Sequence, residues 1–226
     1  ISRMDLDTTR SRNAYSRIIN DFSNGRTDIL IGTQMISKGL DFGNVSVVGI
    51  LNADTMLNYP DFRAYEHAFM MLSQVSGRAG RRGEQGLVIL QTKSADLPVI
   101  HQVVTGDFAS FSRDLLEERR MFSYPPFFHL VYVYLRSKYE STVESAAVEL
   151  ASRLRQSFGE RVLGPDKPSV ARVKTESIRK IVLKLELGID LSLARRHMAA
   201  ARAALLQDKR YAAMTVFFDV DPLCCR

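Results

Sequence analysis

Asp28-Ile29-Leu30-Ile31-Gly32-Thr33-Gln34-Met35-Ile36-Ser37-Lys38-Gly39-Leu40-Asp41-Phe42 runs from a short apolar segment into a Gly-Thr turn, then to a lysine, a second glycine and an aspartate. The apolar part is too short for a helix and predicts a buried strand over 28–31. The carboxyl end of such a strand is where open α/β sheets receive ligands. Thr33, at that turn, reads as a phosphate contact through its hydroxyl and N–H or as a helix N-cap, and both can hold at once. Lys38 reads as a phosphate contact or as a plain exposed lysine.

Downstream lies Gln74-Val75-Ser76-Gly77-Arg78-Ala79-Gly80-Arg81-Arg82-Gly83-Glu84-Gln85-Gly86. Gly77, Gly80 and Gly83 recur at every third residue, with arginines between them. Glycine permits positive φ and close approach of a ligand. Arginine offers a planar, permanently charged fork that matches phosphate oxygens. The stretch is a phosphate-touching loop or an exposed basic loop.

Around these stretches, apolar strand patterns alternate with helical ones. Ile1 to Met4 reads as the end of a strand, and Asp5 to Thr9 as a helix start. Ala14, Ile18 and Phe22 follow at helical spacing, with Asn24-Gly25 as the stop. Val45–Leu51 and Leu87–Gln91 are further strands. Asp61 to Ser76 is helical, with Ala64, Ala68, Phe69 and Leu72 inward. The alternation argues for a parallel sheet flanked by helices. Asp96 to Met121 is a helical connector, and Tyr124-Pro125-Pro126 breaks it.

Beyond the prolines the pattern changes. Phe128–Leu135 is a strand and Ser141–Phe158 a helix. Val170–Thr175 and Lys180–Leu187 read as paired strands, Ser192–Gln207 as a helix and Met214–Val220 as a last strand. The order β-α-β-β-α-β is that of a ferredoxin-like unit. The expected division is residues 1–120, an α/β lobe with connector helices, and residues 121–226, an α+β domain.

Composition fits a globular protein with an anionic partner. The 226 residues are 46% hydrophobic and carry a net charge of +6. Between Glu160 and Arg210, twelve Lys and Arg stand against six Asp and Glu, which accounts for the whole surplus. Arg172, Lys174, Arg179 and Lys180 flank the expected hairpin and would track a DNA backbone. Arg195, Arg196 and Arg202 lie on the Ser192–Gln207 helix as a second basic face for DNA or an acidic partner; a solvated face is the alternative. Tyr132, Tyr134 and Phe128 alternate on a strand and read as core. Cys224 and Cys225, adjacent at the end, support neither a disulfide framework nor a zinc site, which suits a reducing cytoplasm. His67, His101, His129 and His197 are scattered and read as structural. No apolar run is long enough to span a membrane and no signal peptide is visible. A first residue other than Met suggests part of a longer protein.

The two opening stretches resemble motifs V and VI of superfamily 2 helicases, G-T-Q-x-x-x-K-G-x-D-F and Q-x-x-G-R-x-G-R, which sit on the second RecA-like lobe. A narrower resemblance is to the primosomal replication-restart helicases, the primosomal protein N′ family. It rests on Arg3-Met4-Asp5-x-Asp7-Thr8-Thr9, Pro60-Asp61-Phe62-Arg63-Ala64-x-Glu66, and Glu118-Arg119-Arg120 followed by Tyr124-Pro125-Pro126. Leu163-Gly164-Pro165 and Asp219-Val220-Asp221-Pro222 complete it. The resemblance implies the C-terminal part of an ATP-dependent DNA helicase that translocates on single-stranded DNA and restarts stalled forks. It implies Arg81 as an arginine finger, Arg78 as a second phosphate contact and Gln74 as a coupling residue. Gly39, Asp41 and Gly77 would lie on the nucleotide side, and Thr33 and Lys38 on the DNA side. Single-stranded-DNA-binding protein and primosome proteins are the implied partners, with Arg195, Arg196 and Arg202 as a docking face.

Two signatures do not occur. There is no G-x-x-x-x-G-K-[ST] loop and no D-E-x-H box. Both belong to the first lobe of such motors, so ATP and magnesium would be bound mainly there, and this chain alone should not hydrolyse ATP. The family's zinc-binding insertion would precede Ile1, and no metal ligands are expected in this chain. The rival readings are another superfamily 2 motor and a basic nucleic-acid-binding module.

Overall fold

A computed structural model describes residues 1–9, 11–33, 45–77 and 86–223. The chain divides into two compact units. The first comprises Ile1–Tyr59 and Arg63–Ser112, the second Pro60–Phe62 and Arg113–Arg226. The division falls earlier than the prolines, inside the helix Phe108–Met121.

In the first unit, β1 (Ser2–Met4) pairs in parallel with β2 (Leu30–Gly32), joined by α1 (Arg12–Ser23). The Ser11 hydroxyl caps α1 by accepting from the Ala14 N–H, and the chain leaves at Asn24 and at Gly25 with φ 70°. The expected helix start at Asp5–Thr9 is instead a turn. The Asp5 carboxylate accepts from the N–H groups of Asp7 and Thr8 and satisfies the turn locally. Met4 is fully buried against Tyr15, Ile18, Ile19, Phe22, Leu30 and Val45. The expectation of a buried strand at 28–31 needs correcting. The strand is displaced toward Gly32 and Ile31 is 53% exposed.

A second parallel pair joins β3 (Val47–Ile50) to β4 (Leu87–Leu90). Between them lie α2 (Asp54–Leu57), which the apolar pattern did not show, and α3 (Ala64–Ser76). Ala64, Ala68, Phe69 and Leu72 are the buried face of α3, at the spacing the sequence predicts. The helical connector is broken into α4 (Pro98–Thr105) and α5 (Phe108–Met121) by Gly106, which takes a left-handed conformation at the α4 C-cap. Phe111 of α5 stacks on Phe69 at 4.1 Å.

The second unit is a twisted antiparallel sheet covered on one face by two helices. Its elements are β5 (Phe128–Ser137), α6 (Glu140–Phe158), β6 (Val162–Asp166), β7 (Arg172–Val173), β8 (Glu176–Glu186), α7 (Leu191–Leu206) and β9 (Thr215–Val220). The strand order is β6-β8-β5-β9, with β7 attached to β8. Strand alternation sorts the side chains. Val131, Val133 and Leu135, with Ile181, Leu183 and Leu185, form one core with Val143, Leu150 and Leu154 of α6 and Met198 and Leu205 of α7. Leu130, Tyr132, Tyr134 and Ile178 occupy the opposite face, with Phe62, Tyr124, Val182 and Phe217 packed on them.

One expectation for this unit shifts. The partner expected for the long strand, Val170–Thr175, shrinks to the two-residue β7. The sheet position next to β8 belongs to β6, within Leu163-Gly164-Pro165. Among the described residues, no helix is long and apolar enough to cross a membrane.

Candidate nucleotide and nucleic-acid surfaces

In the first unit the described candidate positions lie at the end of β2, Thr33, and at the end of α3, Gln74 and Gly77. Parallel β3 and β4 deliver their carboxyl ends side by side, and a polar latch closes them. The Asp54 carboxylate accepts a 2.6 Å hydrogen bond from the Thr92 hydroxyl and a 2.9 Å bond from the Lys93 N–H. The Asn52 N–H donates to the Gln91 side-chain oxygen at 3.3 Å. The Thr92 bond, then the Lys93 N–H, hold the Asp54 carboxyl below the usual carboxylate range. Thr33 follows β2 directly and is exposed. Gln74 is exposed on the last turn of α3, and Gly77 caps that helix, its N–H donating to the carbonyls of Ser73 and Val75. Gly77 has φ −64°, so its backbone makes no demand for glycine. Lys38, Gly39, Asp41, Arg78 and Arg81 lie outside the described residues.

In the second unit the four hairpin cations separate into three kinds. Arg172 and Lys174 are exposed on the β7–β8 hairpin, where Lys174 turns the chain with φ 53°. Lys180 is half-buried, its ammonium 4.5 Å from the centroid of the Tyr132 ring. Arg179 is different in kind, and its assignment to a DNA surface is corrected. Its side chain is 3% exposed and its guanidinium binds Glu140 and Glu144 of α6. Burial opposes its charge, but the two carboxylates outweigh burial and hold it more firmly protonated. It ties sheet to helix and cannot reach a ligand.

Arg195, Arg196 and Arg202 are exposed on α7, and Arg202 lies over the Phe218 ring at 6.0 Å. The tyrosines expected in the core are there, with Tyr132 and Tyr134 both buried. Next to them Phe62 stacks on Tyr124 at 4.5 Å, between Arg119, 5.2 Å over Phe62, and Lys184, 3.7 Å over Tyr124. Burial pushes the Lys184 ammonium down from its ordinary pKa, and its Nζ donates 2.6 Å to the Phe122 carbonyl. Sequence reading missed a further group where β5 ends and α6 begins. Arg136, Lys138 and Tyr139 line one concavity there. The signal was available as a basic-aromatic run between a strand and a helix.

Two family models match this chain. The helicase conserved C-terminal domain matches residues 2–83, and the primosomal protein N C-terminal domain matches residues 120–223. Among curated proteins, the replication restart protein PriA of Bacillus subtilis (strain 168) is 40% identical over 194 residues, covering 85% of this chain and 24% of that protein. The chain belongs to the PriA family of replication restart proteins. PriA of Synechocystis sp. is 38% identical over 196 residues, covering 81% of this chain and 24% of its own length. PriA of Treponema pallidum (strain Nichols) is 36% identical over 226 residues, covering 99% of this chain and 33% of its own. The chain thus spans about a quarter to a third of the PriA proteins it matches. The helicase match takes in the first opening stretch and the second as far as Gly83, and the primosomal match takes in the antiparallel sheet and its two helices.

Proposed function

We propose that this chain is the C-terminal part of an ATP-dependent DNA helicase that restarts replication at stalled or branched forks, translocating on single-stranded DNA as it recruits the primosome. The observation that carries this reading is the succession, in one chain, of a helicase C-terminal match and a primosomal protein N C-terminal match. Residues 1–120 would act as a second RecA-like lobe with its connector helices, and residues 121–226 as a ferredoxin-like DNA- and partner-binding domain. The parallel strand pairs support the first assignment, and the order β6-β8-β5-β9 supports the second.

In the lobe, Arg81 would reach the transferred phosphoryl group of ATP bound on a partner lobe and neutralise the charge that develops there. Arg78 would hold a second phosphate oxygen, with Gly39, Asp41 and Gly77 shaping that side of the site and Gln74 coupling it to the lobe interface. An arginine finger contributes ~10³–10⁵ in rate in other nucleotide hydrolases. Thr33 and Lys38 would position a DNA phosphate. Among the described residues, no group of three His, Cys, Asp or Glu converges as a metal site. Magnesium would be held with ATP mainly on the partner lobe. The location this reading requires is the cytoplasm, where forks, single-stranded-DNA-binding protein and primosome proteins are found. Arg195, Arg196 and Arg202 are the proposed protein-docking face.

The test is DNA-stimulated ATP hydrolysis by the full-length protein and its Arg81→Ala variant. The reading expects a loss of at least about a hundredfold in turnover with nucleotide binding retained. It also expects no turnover by residues 1–226 alone. Unchanged turnover in the variant would remove Arg81 from the mechanism.

A further inference from the structure

The corner of the second unit where β5 runs out and α6 begins combines three features. It is concave, with a volume of about 770 Å³. It is cationic: Arg136 and Lys138 line it, Lys138 exposed and Arg136 half-buried with its guanidinium 5.0 Å over the Phe217 ring. Its hydroxyls, Ser141 and Thr142, sit on the same wall.

Strand register brings more charge to the rim. Glu176 lines the concavity and pairs with Val173 of β7, whose chain neighbours Arg172 and Lys174 are exposed on the same hairpin, outside the lining itself. The acids nearby are largely committed. Glu140 is held by Arg179 and Lys167, and Arg210, which also lines the concavity, is matched by Asp208. Among the described lining residues, Glu176 is the one acid beside Arg136 and Lys138.

Among these cations stands Tyr139. It is 72% exposed, beside Lys138 in sequence and lining the same concavity. An aromatic residue of that exposure contributes little to the core. The rings beside two other surface cations of the unit are more enclosed: Phe218 under Arg202 is half-buried and Tyr211 under Arg210 is buried. A cation cluster by itself would take any phosphate. A cation cluster with an open aromatic face matches a strand whose bases are unstacked and whose phosphates are spaced along it.

We infer that this corner docks single-stranded nucleic acid, with a base stacked on Tyr139 and neighbouring phosphates held by Lys138, Lys174, Arg136 and Arg172. The inference deepens the nucleic-acid reading above and rests on it. It assigns the strand to a place in the fold that is separate from the α7 arginines.

The chain contains no tryptophan, so Tyr139→Trp creates a unique reporter. On titration with a single-stranded oligonucleotide, emission from that variant should be quenched by stacking. In fluorescence anisotropy, Tyr139→Ala should weaken binding about tenfold while leaving the salt dependence unchanged, and Tyr139→Phe should bind as wild type. The double variant Lys138→Gln, Lys174→Gln should lower the slope of log affinity against log salt by about 1.4, at about 0.7 per single-strand phosphate contact. Binding with unquenched emission and an unaltered slope would overturn this site while leaving DNA binding intact. No binding by wild type or any variant would overturn both.

Discussion

Arg179 lies in step with Ile181, Leu183 and Leu185 on the helix-covered face of β8, and that parity decides its role. A buried guanidinium keeps its charge only if carboxylates reach it, and Glu140 and Glu144 do so from the first turns of α6. Arg179→Ala should lower the stability of the second unit by about 1–3 kcal/mol in urea unfolding, with DNA affinity of the folded chain unchanged. The pair also sets a pH dependence. Hydrogen bonds from Arg179 first, and then Lys167, hold the Glu140 carboxyl below the usual range. A carboxyl depressed in the folded state contributes fully above its unfolded pKa of about 4.3, and the contribution is lost as pH falls through the lower folded value. Glu140→Gln should therefore lower the urea midpoint at neutral pH, and its gap from wild type should narrow in acid, below the unfolded value. An equal gap at both pH values would show that the Arg179 contact does not involve charge. Gly77 makes the opposite case. At φ −64° its added Cβ would meet, among the described residues, the Ser73 and Gln74 carbonyls at 3.5 and 3.7 Å, which is ordinary contact. Gly77→Ala should leave stability unchanged or raise it by up to about 1 kcal/mol, as a helix-end alanine does. Any loss of ATP turnover in the full-length variant then reports close approach of a ligand, not a broken fold.

At the scale of elements, β6 shows how glycine can be required inside a strand. Gly164 has φ 88°, and a Cβ there would come within 3.1 Å of the Asp166 nitrogen and the Lys180 carbonyl, both backbone. The register of β6 on β8 shifts between Leu163 and Asp166, so Gly164 sits at a bulge. Gly164→Ala should cost about 1–3 kcal/mol, read as a lower thermal midpoint of the second unit. A midpoint within experimental error of wild type would mean the bulge relaxes freely. The Gly-Pro pair hid this strand from the sequence, because those residues mark turns everywhere except at bulges and edges. The same omission moved the start of β8. Reading it from Lys180 left Arg179 in a loop, whereas the strand begins at Glu176. By contrast α3 was legible down to its four buried residues, because an uninterrupted 3.6-residue repeat carries phase as well as identity. The candidate site was less legible. Exposed Arg172 and Lys174 were identified from charge alone, but Arg136, Lys138 and Tyr139 become one surface only when β5, α6 and the hairpin meet.

At the scale of the whole molecule, sequence families and physical units draw different boundaries. Residues 60–62 fall inside the helicase match, yet they belong to the second compact unit. The reason is Phe62, which stacks nearly parallel on Tyr124, with an interplanar angle of 6°, and packs on the Leu130, Tyr132, Tyr134 and Ile178 face. Arg119 and Lys184 close that stack from its two ends, so four of the residues that read as signatures or cations form one cation-aromatic ladder. Stacked aromatic pairs contribute ~0.5–1.5 kcal/mol beyond the area they bury. Phe62→Ala in the whole chain should therefore destabilise the second unit by about 2 kcal/mol. A chain begun at Arg113 loses the same ring by truncation. Its thermal midpoint should fall to that of the second unit in the Phe62→Ala chain, because both lack one partner of Tyr124. If instead the truncated chain melts with the wild-type second unit, Phe62 adds nothing to that unit's stability. The Pro60–Phe62 segment would then be held by the fold without helping to hold it.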